Sequence, residues 1–265
     1  MLFRSRVAGG QLANGAMGNA RWKGVSLRAL LDRAGVQAGA KDVTFAGLDG
    51  PVLPETPDFA KALDLDHARD GEVMVAYAMN GEDLPWLNGY PLRLIVPGFY
   101  GTYWVKHLNE ILVTDQSFEG YWIAKAYRVP NNNCFCTEPG QSGFASTPIN
   151  RFNVRSFITN FKQNSSCRAD VETTIKGIAF DGGFGVKQVL VSLDNGLNWR
   201  ASMLGEDYGK YSFRPWQTVV QLPKGTHMIK VCATNNIGQS QPMQPLWNPP
   251  GYMRNCVETL QLHAV

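Results

Sequence analysis

Long apolar runs are missing from this sequence: none reaches the roughly 18 residues of a membrane-spanning helix, so no membrane span is expected. Cysteine is sparse and poorly spaced. Cys134, Cys136, Cys167, Cys232 and Cys256 show neither zinc-ligand spacing nor the even count of a disulfide framework, and Cys134-Phe135-Cys136 is too tight for an easy mutual bond. No excess of one charge exists either. The formal net charge of +3 is dispersed along the chain, which argues against nucleic acid as a partner and leaves small anions open. No apolar h-region follows Phe3-Arg4-Ser5-Arg6, so no secretory signal is expected at Met1. The 265 residues suffice for two domains of ordinary size.

What is present centres on Leu84 to Leu108. Arg93 sits inside the apolar run from Pro91 to Val96, which reads as a buried strand, and a guanidinium there is costly unless an anion meets it. A glycine-rich turn then leads to Tyr103-Trp104-Val105-Lys106-His107, which adds flat aromatic surface and a second cation. The composition suits a large, flat, anionic ligand.

Along the rest of the first half, Met1 to Trp22 is glycine- and amide-rich and reads as loop, with Leu2 and Phe3 packed against something. Ser26 opens a short amphipathic helix through Leu27, Leu30, Leu31 and Ala34 that Gly35 ends. Val43 to Ala46 is a strand that delivers Asp49 at its end, either as a ligand-facing carboxylate or as a turn cap. Phe59 to Ala68 reads as a second helix, and Val73 to Met79 as a buried strand closed by the Asn80-Gly81 turn. The aromatic and basic segment from Phe118 to Pro130, which contains Tyr127, has neither helical nor strand periodicity. Asn131 to Ile149 has linker composition.

From Asn153 onward short β runs alternate with glycine- and asparagine-rich turns, the pattern of an immunoglobulin-like β-sandwich. Ser192-x-Asp194-x-Gly196-x-x-Trp199 is one Asp-box, a device that stabilises a turn, and the Asn164-Ser165-Ser166 triplet fits the glycosylation pattern.

Several of these segments, in this order, resemble the sulfite oxidase family, above all its bacterial sulfite dehydrogenases. They are Gly15-Ala-Met-Gly-Asn-Ala-Arg-Trp22, Gly47-Leu48-Asp49, Met79-Asn80-Gly81, Asn88-Gly-Tyr-Pro-Leu-Arg93, Pro97-Gly98 through Tyr100-Gly-Thr-Tyr-Trp-Val-Lys-His-Leu108, and Trp247-Asn-Pro-Pro-Gly-Tyr-Met-Arg-Asn255. The resemblance implies an α+β fold: a partial sulfite-oxidase-type molybdopterin domain over 1–130, a linker over 131–150, and an immunoglobulin-like dimerisation domain over 151–265. It implies molybdopterin carrying molybdenum, held by Asp49, Asn88, Arg93, Trp104, Val105 and Lys106, with Asn88 where vertebrate members have histidine. Tyr127 falls on the active-site tyrosine. Arg254 supplies the substrate-binding charge in place of the vertebrate arginine whose position Pro250 occupies. His107 reads as a packed or hydrogen-bonded histidine rather than a base. The implied reaction oxidises sulfite, or a similar small oxyanion, to sulfate by oxo transfer, with electrons passed to cytochrome c, in a periplasmic homodimer. The family's metal-ligating cysteine lies in a Cys-x-Gly-Asn-x-Arg segment ahead of the position matching Met1, and none of the five cysteines aligns with it, so no metal ligand is assigned. That gap motivates a competing expectation, a non-catalytic cofactor-binding or dimerisation module.

Overall fold

The structure is a computed structural model that describes residues 14 to 265; the packing expected of Leu2 and Phe3 lies outside the described residues. The described chain forms two compact units. One contains Gly15–Phe135 and Gly140–Asn150, the other Asn14, Cys136–Pro139 and Arg151–Val265.

In the first unit β2 (Asp42–Gly47) is the centre of an antiparallel sheet, flanked by β3 (Ala60–Asp64) and β7 (Leu108–Thr114). A second sheet is built on β4 (Met74–Met79), which pairs with β1 (Trp22–Ser26), β6 (Arg93–Ile95) and the short β5 (Glu82–Asp83). Asn80 and Gly81 both take positive φ, 56° and 92°, which a two-residue hairpin needs and which Asn-Gly adopts at least cost. The helix α1 (Leu27–Ala34) buries Leu27 and Leu31, one turn apart, and Gly35 ends it in the left-handed region with its N–H on Leu31 O at 3.1 Å. Ser26 precedes it in extended conformation, but its side chain makes no capping bond. Leu27, Val43, Phe45, Val75, Leu94 and Val96 belong to the shared core of this unit.

Phe59 to Ala68 is not one helix. Its first half is β3, antiparallel to β2 from Ala46↔Ala60 to Asp42↔Asp64, and only Leu65–Ala68 is helical (α2), with Asp64 accepting from His67 N at 2.8 Å as its N-cap. The apolar spacing served both periods, and pairing with β2 decided between them. The aromatic segment holds one helical turn, α3 (Tyr121–Ala124), and ends in β8 (Arg128–Pro130), which pairs with β9 (Ser146–Pro148).

The second unit is a sandwich. One sheet has the order β10 (Arg155–Ile158), β12 (Glu172–Phe180), β16 (Arg214–Gln221), β15 (Met203–Leu204). The other runs β11 (Ser165–Cys167), β18 (Glu258–Ala264), β17 (Gly225–Asn235), β13 (Val186–Ser192), β14 (Arg200–Ala201). Ile175, Trp216 and Val220 from one sheet and Val191, Ile229 and Leu262 from the other belong to one buried core. The Trp216 indole N–H donates to Ser156 Oγ at 2.8 Å, which satisfies the polar end of this buried ring.

The Asp-box is a turn device. Asp194 Oδ1 accepts from the Ser192 hydroxyl and from Asn198 N, and Trp199 Nε1 donates to Gly196 O at 3.1 Å. The Asn198 backbone N–H, helped by its side chain and by Ser192, draws the Asp194 carboxyl down to about 2. The cysteine expectation is corrected: Cys167, Cys232 and Cys256 are free, whereas Cys134 and Cys136 are disulfide-bonded, and with five cysteines in all they are each other's partner. Phe135 between them takes φ 50°, the left-handed bend that lets so short a loop close.

A methyl group at Gly177 would lie 2.3 Å from both Phe157 O and Trp216 Cζ2. Gly177→Ala is therefore expected to destabilise the sandwich by about 1–3 kcal/mol in urea unfolding, whereas Gly18→Ala, with open space around it, should be near neutral.

Candidate functional site

Arg93 starts β6, buried at 9% exposure. Its Nη1 donates to Asn88 O at 2.8 Å and its Nη2 to Trp104 O at 3.4 Å, while its buried Nε has no hydrogen-bond partner among the described residues. No carboxylate of the described residues pairs with it; both acceptors are backbone carbonyls. The guanidinium carbon lies 4.9 Å from the Trp22 ring centroid and 5.8 Å from that of Trp104, and these two rings meet edge to face at 5.9 Å. Burial pushes the Arg93 pKa down to about 10, so it stays charged at neutral pH. A cation walled by two indoles, with its Nε unpaired among the described residues, is a built place for an anion attached to a flat body.

The other residues expected on the cofactor gather at the same edge. Gly89, at φ 108°, lets the chain from Asn88 pass so close that a Cβ there would lie 2.9 Å from Lys106 Cβ and 3.2 Å from Arg93 Cβ. Lys106 Nζ donates to Leu87 O at 2.9 Å and its head is exposed. Val105, buried, accepts from Leu94 N at 2.8 Å and so locks the Trp104–Lys106 segment to β6. Asp49 arrives from the end of β2: a Cβ on Gly47 would sit 2.5 Å from Asp49 Oδ1 and 2.4 Å from Lys106 O. Asn88, Arg93, Trp104 and Lys106 are thus held together by direct contacts, Val105 lies buried between two of them in sequence, and Asp49 stands near the Lys106 carbonyl. His107 is hydrogen-bonded as expected, its Nδ1 2.8 Å from Tyr90 O and its ring 5.3 Å from Trp86.

Tyr127 lies in the same unit at φ 57°, half-buried, its carbonyl accepting from Ile149 N at 2.8 Å. Beside it the structure places a residue that the sequence reading passed over. Lys61 is fully buried in β3, donates from Nζ to Trp122 O at 2.6 Å, and lies 4.8 Å from the Tyr127 ring and 4.6 Å from the Tyr103 ring. No carboxylate of the described residues meets it. Burial lowers its pKa from 10.5 to about 7. The sequence signal was available once the segment was taken as a strand, because Lys61 then falls among the buried positions of Ala60–Asp64.

Arg254 belongs to the second unit. Its Nη1 is 2.8 Å from Glu258 Oε1, and Glu258 also pairs with buried Arg155, so the trio keeps one net positive charge. Burial pushes the Glu258 carboxyl up, but the two arginines outweigh it and hold the pKa below its ordinary value.

Two family models match the chain and define its class. The oxidoreductase molybdopterin binding domain matches residues 2–122, and the Mo-co oxidoreductase dimerisation domain matches residues 146–264. The chain is 33% identical over 274 residues to mitochondrial sulfite oxidase of Homo sapiens, covering 97% of this chain and 49% of that protein. It is 35% identical over 261 residues to the NADH nitrate reductase of Solanum lycopersicum, covering 89% of this chain and 28% of that one. Among solved structures, the sulfane dehydrogenase SoxCD from Paracoccus pantotrophus superimposes with a TM-score of 0.78 at 23% identity, over 91% of this chain and 60% of that one, a likeness of fold. The chain belongs to the sulfite oxidase family, whose members here include both sulfite oxidases and nitrate reductases, and its cofactor is a molybdenum pterin. It spans less than half the length of these two curated relatives.

The residues present fit the anionic end of that cofactor, because the unused buried Nε of Arg93 and the exposed head of Lys106 are the donors a phosphate needs. Lys61 gives a test in the protein itself. Between its folded pKa of about 7 and its ordinary 10.5, the unfolded chain holds a proton that the folded chain does not, so stability rises with pH across that window. Each unit of separation is worth about 1.4 kcal/mol. Urea unfolding from pH 7 to 10 should show this rise in wild type and its loss in Lys61→Met.

Proposed function

We propose that the protein oxidises sulfite to sulfate and passes the electrons singly to a cytochrome c, acting as a periplasmic homodimer that associates through the second unit. The observation that carries this reading is the buried, carboxylate-free Arg93 on its two indoles, within the segment that resembles bacterial sulfite dehydrogenases. When bound, the molybdenum pterin supplies oxo transfer and takes up two electrons. This chain's own residues do the rest. Arg93 and Lys106 would hold the phosphate end, Asp49 would accept hydrogen bonds from the pterin amino groups, and the Trp104 region would wall the ring system. The Tyr127 hydroxyl donates a hydrogen bond to a sulfite oxygen.

A second reading, nitrate reduction, is favoured by the comparable identity to the tomato nitrate reductase, 35% against 33% for human sulfite oxidase. Purified protein assayed for molybdenum, for sulfite-dependent reduction of cytochrome c and for reductant-dependent consumption of nitrate separates the two. Bound molybdenum with sulfite turnover is expected. Nitrate turnover without sulfite turnover would replace the first reading by the second, and a chain with neither metal nor turnover would be a non-catalytic module. Tyr127→Phe should lower kcat/KM for sulfite roughly ten- to a hundred-fold, the weight of about 1.5–3 kcal/mol for one hydrogen bond to a charged group.

A further inference from the structure

Lys61 is costly where it stands. A fully buried amine with no counter-charge gives up its hydration for one carbonyl and two ring faces, and an unbranched apolar side chain would fill the same space without that cost. What it touches shows what the amine does there. The Trp122 indole N–H meets both Pro57 O and Asp58 O at 3.0 Å, and its ring lies 5.5 Å from Phe59 and 5.9 Å from Tyr127, so the strand carrying Lys61 is clipped to the turn that precedes Tyr127. Lys61 Nζ closes the same clip from inside at Trp122 O.

The contacts continue in a circuit. Lys61 faces the Tyr103 ring, the Tyr103 hydroxyl donates to Ile149 O at 2.8 Å, and Ile149 N donates to Tyr127 O at 2.8 Å. Tyr127 is thus held by its backbone on one side and by its ring face on the other, at a φ of 57° that a non-glycine residue keeps only when its surroundings impose it. Tyr103 is also the residue immediately before Trp104, so one amine bridges the segment that walls the pterin patch and the segment that bears the phenol.

We infer that Lys61 is a positioning residue for Tyr127: its buried nitrogen fixes the Tyr127 ring between the Trp122 turn and Tyr103, so that the hydroxyl meets substrate in one orientation. The inference deepens the sulfite-oxidising reading and rests on it for the role of Tyr127. It does not place Lys61 in contact with cofactor or substrate.

The test uses the full chain, labelled with fluorotyrosine, as wild type, Lys61→Met and Lys61→Gln, with the Tyr127 resonance assigned by its loss in Tyr127→Phe. Lys61→Met is expected to unfold cooperatively, to retain wild-type pterin content, to shift and narrow the Tyr127 resonance, and to lower kcat for sulfite about tenfold with KM within about twofold. Lys61→Gln keeps a donor for Trp122 O and should recover part of both effects. An unmoved Tyr127 resonance in folded Lys61→Met with wild-type pterin overturns this inference alone. Pterin absent from the wild type overturns the functional reading and with it the role built on Tyr127. Should neither variant fold, the wild type decides: a slowly flipping Tyr127 ring with a through-space contact to the Lys61 ε-methylene is expected, and a freely flipping ring without that contact overturns the inference.

Discussion

A guanidinium buried without a carboxylate organises the first unit. Desolvating Arg93 costs free energy that two backbone carbonyls at 2.8 and 3.4 Å and two indole faces do not fully offset, and its Nε has no partner among the described residues. Around this cation the chain is arranged at close quarters. Gly89 lets two segments pass within side-chain contact, β6 aims Arg93 at the Trp104 edge, and the end of β2 brings Asp49 beside the Lys106 carbonyl. Stability is given up locally around Arg93, the pattern of a costly feature kept in a binding site, and the anionic end of the pterin is the partner we propose for it.

Lys61 repeats the theme on a smaller scale. It too is buried without a counter-charge, and its partners are again a carbonyl and aromatic faces. The two buried side chains serve different ends. Arg93 has a donor left for a ligand, whereas the nitrogen of Lys61 is spent on the Trp122 turn and on the rings of Tyr103 and Tyr127. The second unit is organised differently, by apolar burial between two sheets, with Trp216 sealed over Gly177 and its indole nitrogen satisfied by Ser156.

Much of this was legible in the sequence where a local rule had one outcome. Asn80-Gly81 could hardly be anything but a hairpin turn, Gly35 a helix stop, and an arginine inside Pro91 to Val96 a buried cation in search of an anion. The order of motifs then named the cofactor. Illegible were features decided by pairing across the fold. Ala60–Asp64 has spacing that fits helix and strand alike, and only its register with β2 makes Lys61 an interior residue. β18 pairs parallel with β11 and antiparallel with β17, partners far away in sequence, and its run Glu-Thr-Leu-Gln-Leu-His-Ala did not stand out. The Cys134–Cys136 bond depends on a left-handed Phe135, a conformation that composition does not announce.

A buried Arg93 serves either the anionic end of the pterin, as we propose, or the fold. Replacing it by methionine separates the two, because removing an uncompensated buried charge leaves stability unchanged or raised while it deletes the donor. The decisive measurement is pterin released per chain from purified wild type and Arg93→Met, with unfolding followed in parallel. Arg93→Met is expected to be at least as stable as wild type and to carry at most about a tenth of its pterin, the consequence of losing roughly 1.5–3 kcal/mol of charge-assisted binding. Equal pterin content in a folded Arg93→Met would assign the buried guanidinium to the fold instead.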